Sequence, residues 1–420
     1  MSRSPVFRSL RHRNARLFFS GMLVSSVGSW IQLTAMSILV YRLTGRSIDI
    51  GITVACQFLP MLLLGAWAGA VSDRRNKRRL AFLTQAGLAV QALVLGTLDL
   101  AGAVNLPIIY GMSLVLGLIN AFDNPARRGF VVELVEPSEI PNAMSLNTAV
   151  MTGSRIFGPA LAGILVDPIG TGWCFMINGL SFAAVLGSMF AIDVSKLYVG
   201  PRAPKGGTPV RDALRYVRGD RRLLTTFIVL TVVSTFAFNY NVSLPKLADL
   251  RFGDEKYFGW LLSVTSIGSL AGSLLTASRS LVSMRWFLGS TILLGVSGVA
   301  VSWSPHVALA FVAAIPLGIG GAGFITSANA ITQQFCPPEM RGRLLALGAV
   351  AFLGSTPIGG PITGLVADGF GAEWGLAHGS LIALVTVAVA AISLRRVPMS
   401  SDRRREVPSG QDEPIAAMVE

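Results

Sequence analysis

The chain has 420 residues, of which 52% are hydrophobic and only 14% charged, and its mean hydropathy is +0.60. Soluble domains carry roughly 25% charged residues, so an ordinary soluble enzyme is excluded. A net charge of +13 fits either a nucleic-acid partner or a charged membrane flank, and the position of the basic residues separates the two.

Apolar stretches able to cross a bilayer, about 20 residues each, recur twelve times: 17–43, 48–72, 80–98, 107–122, 142–166, 172–192, 223–244, 258–277, 286–303, 307–335, 344–367 and 375–394. Polar or Gly/Pro-bearing breaks separate them. The first span follows five arginines but is too long for a signal peptide and lacks a small-residue cleavage site, so it reads as a retained helix. With the N-terminus inside, 29 of the 35 basic residues fall in inner segments, five (Arg42, Arg46, Lys246, Arg251, Lys256) in outer ones, and Arg155 within a span. Cytoplasmic loops hold such an excess, so the count of twelve and an orientation with both termini cytoplasmic support each other. Nucleic acid is then not an expected partner. Cys56, Cys174 and Cys336 lie far apart, without disulfide or metal-ligand spacing. No metal or cofactor is expected.

A repeat runs through the chain. Glu136-Pro137-Ser138-Glu139-Ile140 is answered by Cys336-Pro337-Pro338-Glu339-Met340 at an offset of 200. Further on, Gly158-Pro159 is answered by Gly360-Pro361, and Gly163, Asp167 and Trp173 by Gly364, Asp368 and Trp374. Six spans separate the copies, an even number, so the halves share one orientation, the parallel repeat of major facilitator transporters. The division reads as a six-helix bundle over 1–192, a linker over 193–222, a second bundle over 223–394 and a basic, disordered tail over 395–420. Within the linker, Val210, Leu214 and Val217 recur at helical spacing between arginines, which fits a short amphipathic helix at the membrane surface.

Two motifs carry a family resemblance. After the second span comes Gly69-Ala70-Val71-Ser72-Asp73-Arg74-Arg75-Asn76-Lys77-Arg78, which resembles the major facilitator loop motif G-x-x-x-D-R-x-G-R-R, with Asn76 in place of glycine. The resemblance implies a latch between the halves built on Gly69, Asp73, Arg74 and Arg78. Span five holds Gly153-Ser154-Arg155-Ile156-Phe157-Gly158-Pro159-Ala160-Leu161-Ala162-Gly163, similar to the superfamily's antiporter motif g-x-x-x-G-P-x-x-G-G, in which Gly158, Pro159 and Gly163 serve close helix packing. Together with Asn120-Ala121-Phe122-Asp123-Asn124-Pro125-Ala126-Arg127-Arg128 and Pro338-Glu339-Met340-Arg341-Gly342-Arg343, these resemble the branch of enterobactin exporters and macrolide-type efflux proteins.

The resemblance implies an all-α membrane protein with twelve helices in two pseudo-symmetric bundles. Its expected function is proton-driven export of a siderophore, drug or other medium-sized organic molecule from a bacterial cytoplasmic membrane, by a monomer working by alternating access. An uptake facilitator and a non-transporting sensor remain as alternatives. Arg155 lies roughly 20 Å into its helix, and an intramembrane charge is a functional candidate by default. Asp123 is the other candidate for proton coupling, and loss of proton-coupled efflux in Asp123→Asn is its expected signature. In the superfamily, spans one, four, seven and ten line the central cavity. Their polar residues here are Gln32, Thr34, Asn120, Asn239, Asn241, Asn329 and Gln333, with Phe236 and Tyr240 placed to stack on a ligand. Amides in an apolar cavity suit a neutral or zwitterionic substrate.

Overall fold

In a computed structural model the protein is described over residues 5–198, 209–337 and 340–395. Residues 199–208 of the linker and the tail beyond 395 lie outside the described residues. The helices are α1 (Arg13–Thr44), α2 (Ser47–Arg74), α3 (Lys77–Leu100), α4 (Leu106–Glu133), α5 (Ile140–Ala191), α6 (Pro209–Gly219) and α7 (Arg221–Ala237). They continue with α8 (Tyr240–Phe252), α9 (Tyr257–Ala277), α10 (Met284–Ser302), α11 (Val307–Gln334), α12 (Arg341–Leu353), α13 (Thr356–Phe370) and α14 (Ala372–Arg395). Among the described residues eleven segments are long and apolar enough to cross a membrane. The longest, α5, is bent at Gly170 (φ 80°, ψ 168°) and makes two crossings, which gives the twelve expected spans.

The polar breaks in the sequence are helix caps. Asn76, Asn105, Asp220 and Ser283 each accept a backbone N–H of the first turn of α3, α4, α7 and α10. At the other end, Gly45 and Gly253 close α1 and α8 in the left-handed conformation that an L side chain resists.

Three elements differ from the sequence expectation. Spans seven and eleven are each two helices rather than one. Between α7 and α8, the Asn239 side chain donates to the Thr235 carbonyl at 2.7 Å, taking the acceptor that a continuing helix would give to the Asn239 N–H. Between α12 and α13, Pro357 offers no N–H to the carbonyl four residues back. The third difference is α4, which runs past the expected end at 122 to Glu133, because hydropathy marks where a helix leaves the apolar layer and not where its hydrogen bonding stops.

Within the first half α1 packs on α5, α3 on both α4 and α5, and α2 on α4; within the second, α11 packs on α9 and α10, and α14 on α7 and α10. Phe18 meets Phe130 edge to face in one core, and Phe287 stacks on Phe324 in the other. The surface helix α6 forms within the linker, but turned from the expected stripe. Ala213 and Val217 are buried against Leu223, Phe227 and Leu344, while Leu214 is exposed. Tyr216, whose hydroxyl donates to the Phe335 carbonyl at 3.2 Å, and Asp212, paired with Arg343, fix that rotation. The side chain of Val210 lies outside the described residues.

Candidate functional site: a central cavity beneath a sealed face

An even number of crossings puts the start of α1 and the end of α14 on one face, which also bears most of the basic residues. The opposite face is sealed. Two seams join the halves there, α5 against α9 and α2 against α13, and both are built from the repeated Gly-Pro segment. A Cβ on Gly51 would lie 2.5 Å from the Gly360 carbonyl oxygen, and one on Gly364 2.5 Å from the Ile48 Cα. In the other seam, a Cβ on Gly259 would run into the Pro159 carbonyl oxygen and lie 3.1 Å from the Gly163 nitrogen. Gly158 instead faces α1, where a Cβ would collide with Trp30. At Gly163 and Gly259 the backbones of the two halves approach directly.

Polar ties reinforce the seal. Asp368 accepts the N–H groups of Ser47 and Ile48 at the start of α2, each at 2.9 Å, and the Lys246 ammonium at 2.6 Å. The Tyr41 hydroxyl donates to Asp249 at 2.8 Å. Arg42 bonds Glu255 across the halves and Asp167 within its own at 3.2 Å. Burial pushes the Glu255 carboxyl above its ordinary range, aided by Asp249 and Asp167 and outweighing the opposing pull of Arg42. Every hydrogen bond and ion pair found between described residues of the two halves lies at this face.

A cavity of about 50 Å³ lies between the halves, walled by Trp30, Arg155, Pro159, Phe238, Tyr240, Asn241 and the α9 residues Leu262, Thr265 and Ser266. The Arg155 guanidinium sits 5.4 Å from the centre of the Trp30 ring and, among the described residues, has no carboxylate within salt-bridge distance. Tyr240 is 5% exposed, and among the described residues neither its hydroxyl nor the Asn241 Oδ1 has a hydrogen-bond partner.

The expected site residues divide sharply. Arg155 and Tyr240 meet at the cavity. Gln32 does not: it donates to Gln91 at 3.1 Å and accepts from Asn178 at 2.7 Å, tying α1 to α3 and to the second arm of α5. Thr34 returns its hydroxyl to the Trp30 carbonyl, and Asn239 is spent on the α7 break. Phe236 packs edge-on against His378, away from the cavity wall. Asn120 is half-buried on α4, and Asn329 and Gln333 are exposed on one face of the last turns of α11. Sequence reasoning missed Trp30, Phe238, Thr265 and Ser266. Only the break at Asn239 signals that Phe238 turns inward, and no periodicity marks the others.

Asp123 is also placed away from Arg155. Its carboxylate accepts from Thr84 and Gln85 at 2.8 Å each and pairs with Arg127 at 3.3 Å, all between α3 and α4. In the basic loop, Arg78 donates to the Met189 carbonyl within its own half, Arg74 is exposed, and a Cβ on Gly69 would meet nothing within 4 Å. The Asp73 side chain lies outside the described residues. Replacing Gln32 by alanine is expected to cost ~2–4 kcal/mol through two stranded buried amides, seen as a fall of several degrees in melting temperature. Transport per folded molecule should be retained; a variant that melts like the wild type but fails to transport would put Gln32 back in the cavity.

Residues 4–419 match the family described as "Transmembrane secretion effector". The chain belongs to this family of major facilitator transporters. It is similar to the staphyloferrin A transporter of Staphylococcus aureus (strain NCTC 8325 / PS 47), 22% identical across 85% of this chain and 90% of that protein. It is also similar to the multidrug efflux pump Tap of Mycolicibacterium fortuitum, 27% identical across 91% and 95% of the two chains. Two solved structures share the fold. One is a bacterial homolog of the human lysosomal transporter Spinster, in an inward-facing and unoccupied conformation (TM-score 0.71, 14% identity, 90% of this chain and 96% of that one). The other is the nucleoside transporter NupG (TM-score 0.70, 12% identity, 92% and 100%). The chain is thus a multi-pass membrane transporter of the major facilitator kind.

Proposed function

We propose that this protein is a proton-driven exporter in a bacterial cytoplasmic membrane, with the basic face and both termini inside. The carrying observation is that the polar ties between the described residues of the two halves lie at the far face, with Arg155 on a cavity between the halves, an arrangement that supports loading of cargo from the basic side. The 29 basic residues on that side support the orientation, and the names of the relatives support a siderophore or drug as cargo. In this reading the loop with Gly69, Asp73, Arg74 and Arg78 latches the halves when the basic face closes.

Proton coupling in this reading rests on the far-face carboxylates. Because burial raises the Glu255 carboxyl, closing the far face around it favours proton uptake from that side. The contribution of Glu255 to closure is greatest at low pH and is lost as pH rises through its raised value. Spin-label distances across the far face are therefore expected to shorten on average at pH 5 relative to pH 8, and Glu255→Gln should remove that dependence. The reverse trend would sink this part of the reading.

Everted vesicles energised with a pH gradient test the whole. Accumulation of a hydroxamate or catecholate siderophore or of ethidium, collapsed by a protonophore, is expected; accumulation indifferent to the gradient counts against coupling. Asp123→Asn should lower thermal stability and leave the gradient dependence intact. If it abolishes that dependence in a folded protein, the coupling proton belongs to Asp123.

A further inference from the structure

The cavity walls carry one charge without a counter-ion, Arg155, held against Trp30. An intramembrane guanidinium left unpaired is costly, and a structural arginine would have been met by a carboxylate of the chain. Asp123, the nearest expectation for that role, is taken by Thr84, Gln85 and Arg127. The second observation is independent. Tyr240 buries its hydroxyl without a partner, and beside it the Asn241 Oδ1 lacks a donor. Buried polar groups go unpaired only at a cost of ~1–3 kcal/mol each, so two of them facing the same space as an accessible guanidinium without a counter-ion point to a missing ligand.

We propose that Arg155, Tyr240 and Asn241 anchor the carboxylate of an organic anion, and that the exported cargo is an α-hydroxy or α-amido carboxylic acid. This rests on the central cavity being the transport site. The guanidinium fork matches a carboxylate, and the Tyr240 hydroxyl adds a donor to the same group. Asn241 accepts from the hydroxyl or amide N–H on the adjacent carbon. Size agrees. About 50 Å³ admits a carboxylate and its neighbouring carbon, whereas a whole drug-sized molecule needs roughly 300–1,000 Å³. The remainder of the cargo extends beyond this cavity. Of the amides expected to recognise a neutral substrate, Gln32 and Asn239 are spent on partners within their own bundles.

Binding of three probes to the purified full-length protein, followed by titration calorimetry, tests the anchor: mandelate, its neutral amide mandelamide, and phenylacetate, which lacks the hydroxyl. Mandelate is expected to bind, phenylacetate several-fold more weakly, and mandelamide not at all. Arg155→Gln should weaken mandelate by about ten-fold or more, and Arg155→Lys, which keeps the charge, by less. If Arg155→Gln does not fold, Tyr240→Phe, which should lose several-fold for mandelate, provides the second reading. Equal binding of acid and amide, no binding of either acid, or unchanged mandelate affinity in the folded variants overturns the proposal. The readout needs no transport. Absent export in vesicles would sink the exporter reading and leave the anchor standing, while gradient-driven dye export without mandelate binding would do the opposite.

Discussion

Replacing Asp368 by alanine is expected to tip the protein toward a state open at the far face. The carboxylate holds two backbone N–H groups of the opposite half, at 2.9 Å each, and also fixes Lys246. Hydrogen bonds to a charged group contribute about 1.5–3 kcal/mol each. Water replaces part of this once the seam opens, so a net loss of ~2–4 kcal/mol is reasonable, a shift of roughly 30- to 1,000-fold in the balance of states. Spin labels in the exposed loops at positions 103 and 306 should report a longer distance across the far face. Asp167 sets the contrast. It is the repeat partner of Asp368 but touches only a partly exposed Arg42, and such pairs are worth about 0–1 kcal/mol. Asp167→Ala should therefore move the labels little. Equal effects at the two positions, or none at Asp368, would refute this view of the seal.

A methyl group on Gly259 should damage the transport cycle while leaving the fold intact. It would strike backbone of the other half, the Pro159 carbonyl and the Gly163 nitrogen, and backbone cannot move aside as a side chain can. Gly259→Ala is thus expected to melt within a few degrees of the wild type, to hold the far face open and to cut export by about ten-fold, the size of a ~1.4 kcal/mol bias against closure. Gly318→Ala makes an instructive comparison. Its methyl would meet Thr265 and Ser269 inside one bundle, so the overpacking cost of ~1–3 kcal/mol falls on folding itself. Lower yield and a lower melting temperature are expected there. Normal export by Gly259→Ala would show that the α5–α9 seam need not close so tightly.

The twelve crossings, the basic face and the parallel repeat were legible because lipid imposes them: every span must be apolar, and every cytoplasmic loop is selected for charge. The breaks at Asn239 and Pro357 were not, since a helix breaks there only if a particular side chain captures a carbonyl or a missing N–H goes uncompensated. Facing was the harder problem. Gln32 and Tyr240 look alike as polar groups on cavity-lining spans, but which of them turns inward depends on Gln91 and Asn178, 59 and 146 residues away. Arg155 stood out as a charge with nowhere to hide. The repeat pointed to Asp368 without revealing its task, because a backbone N–H partner leaves no trace in side-chain identity.

The helix α8 links two places that have so far been treated apart. Its first turn supplies Tyr240 and Asn241 to the cavity, and its last two turns supply Lys246 and Asp249 to the ties at the far face. It is thirteen residues long, a strut of about 20 Å, detached from α7 at one end and capped by Gly253 at the other. A rod so mounted cannot stretch to absorb a shift at its foot. A tilt of α8 at the cavity would therefore displace Lys246 and Asp249 at the far face.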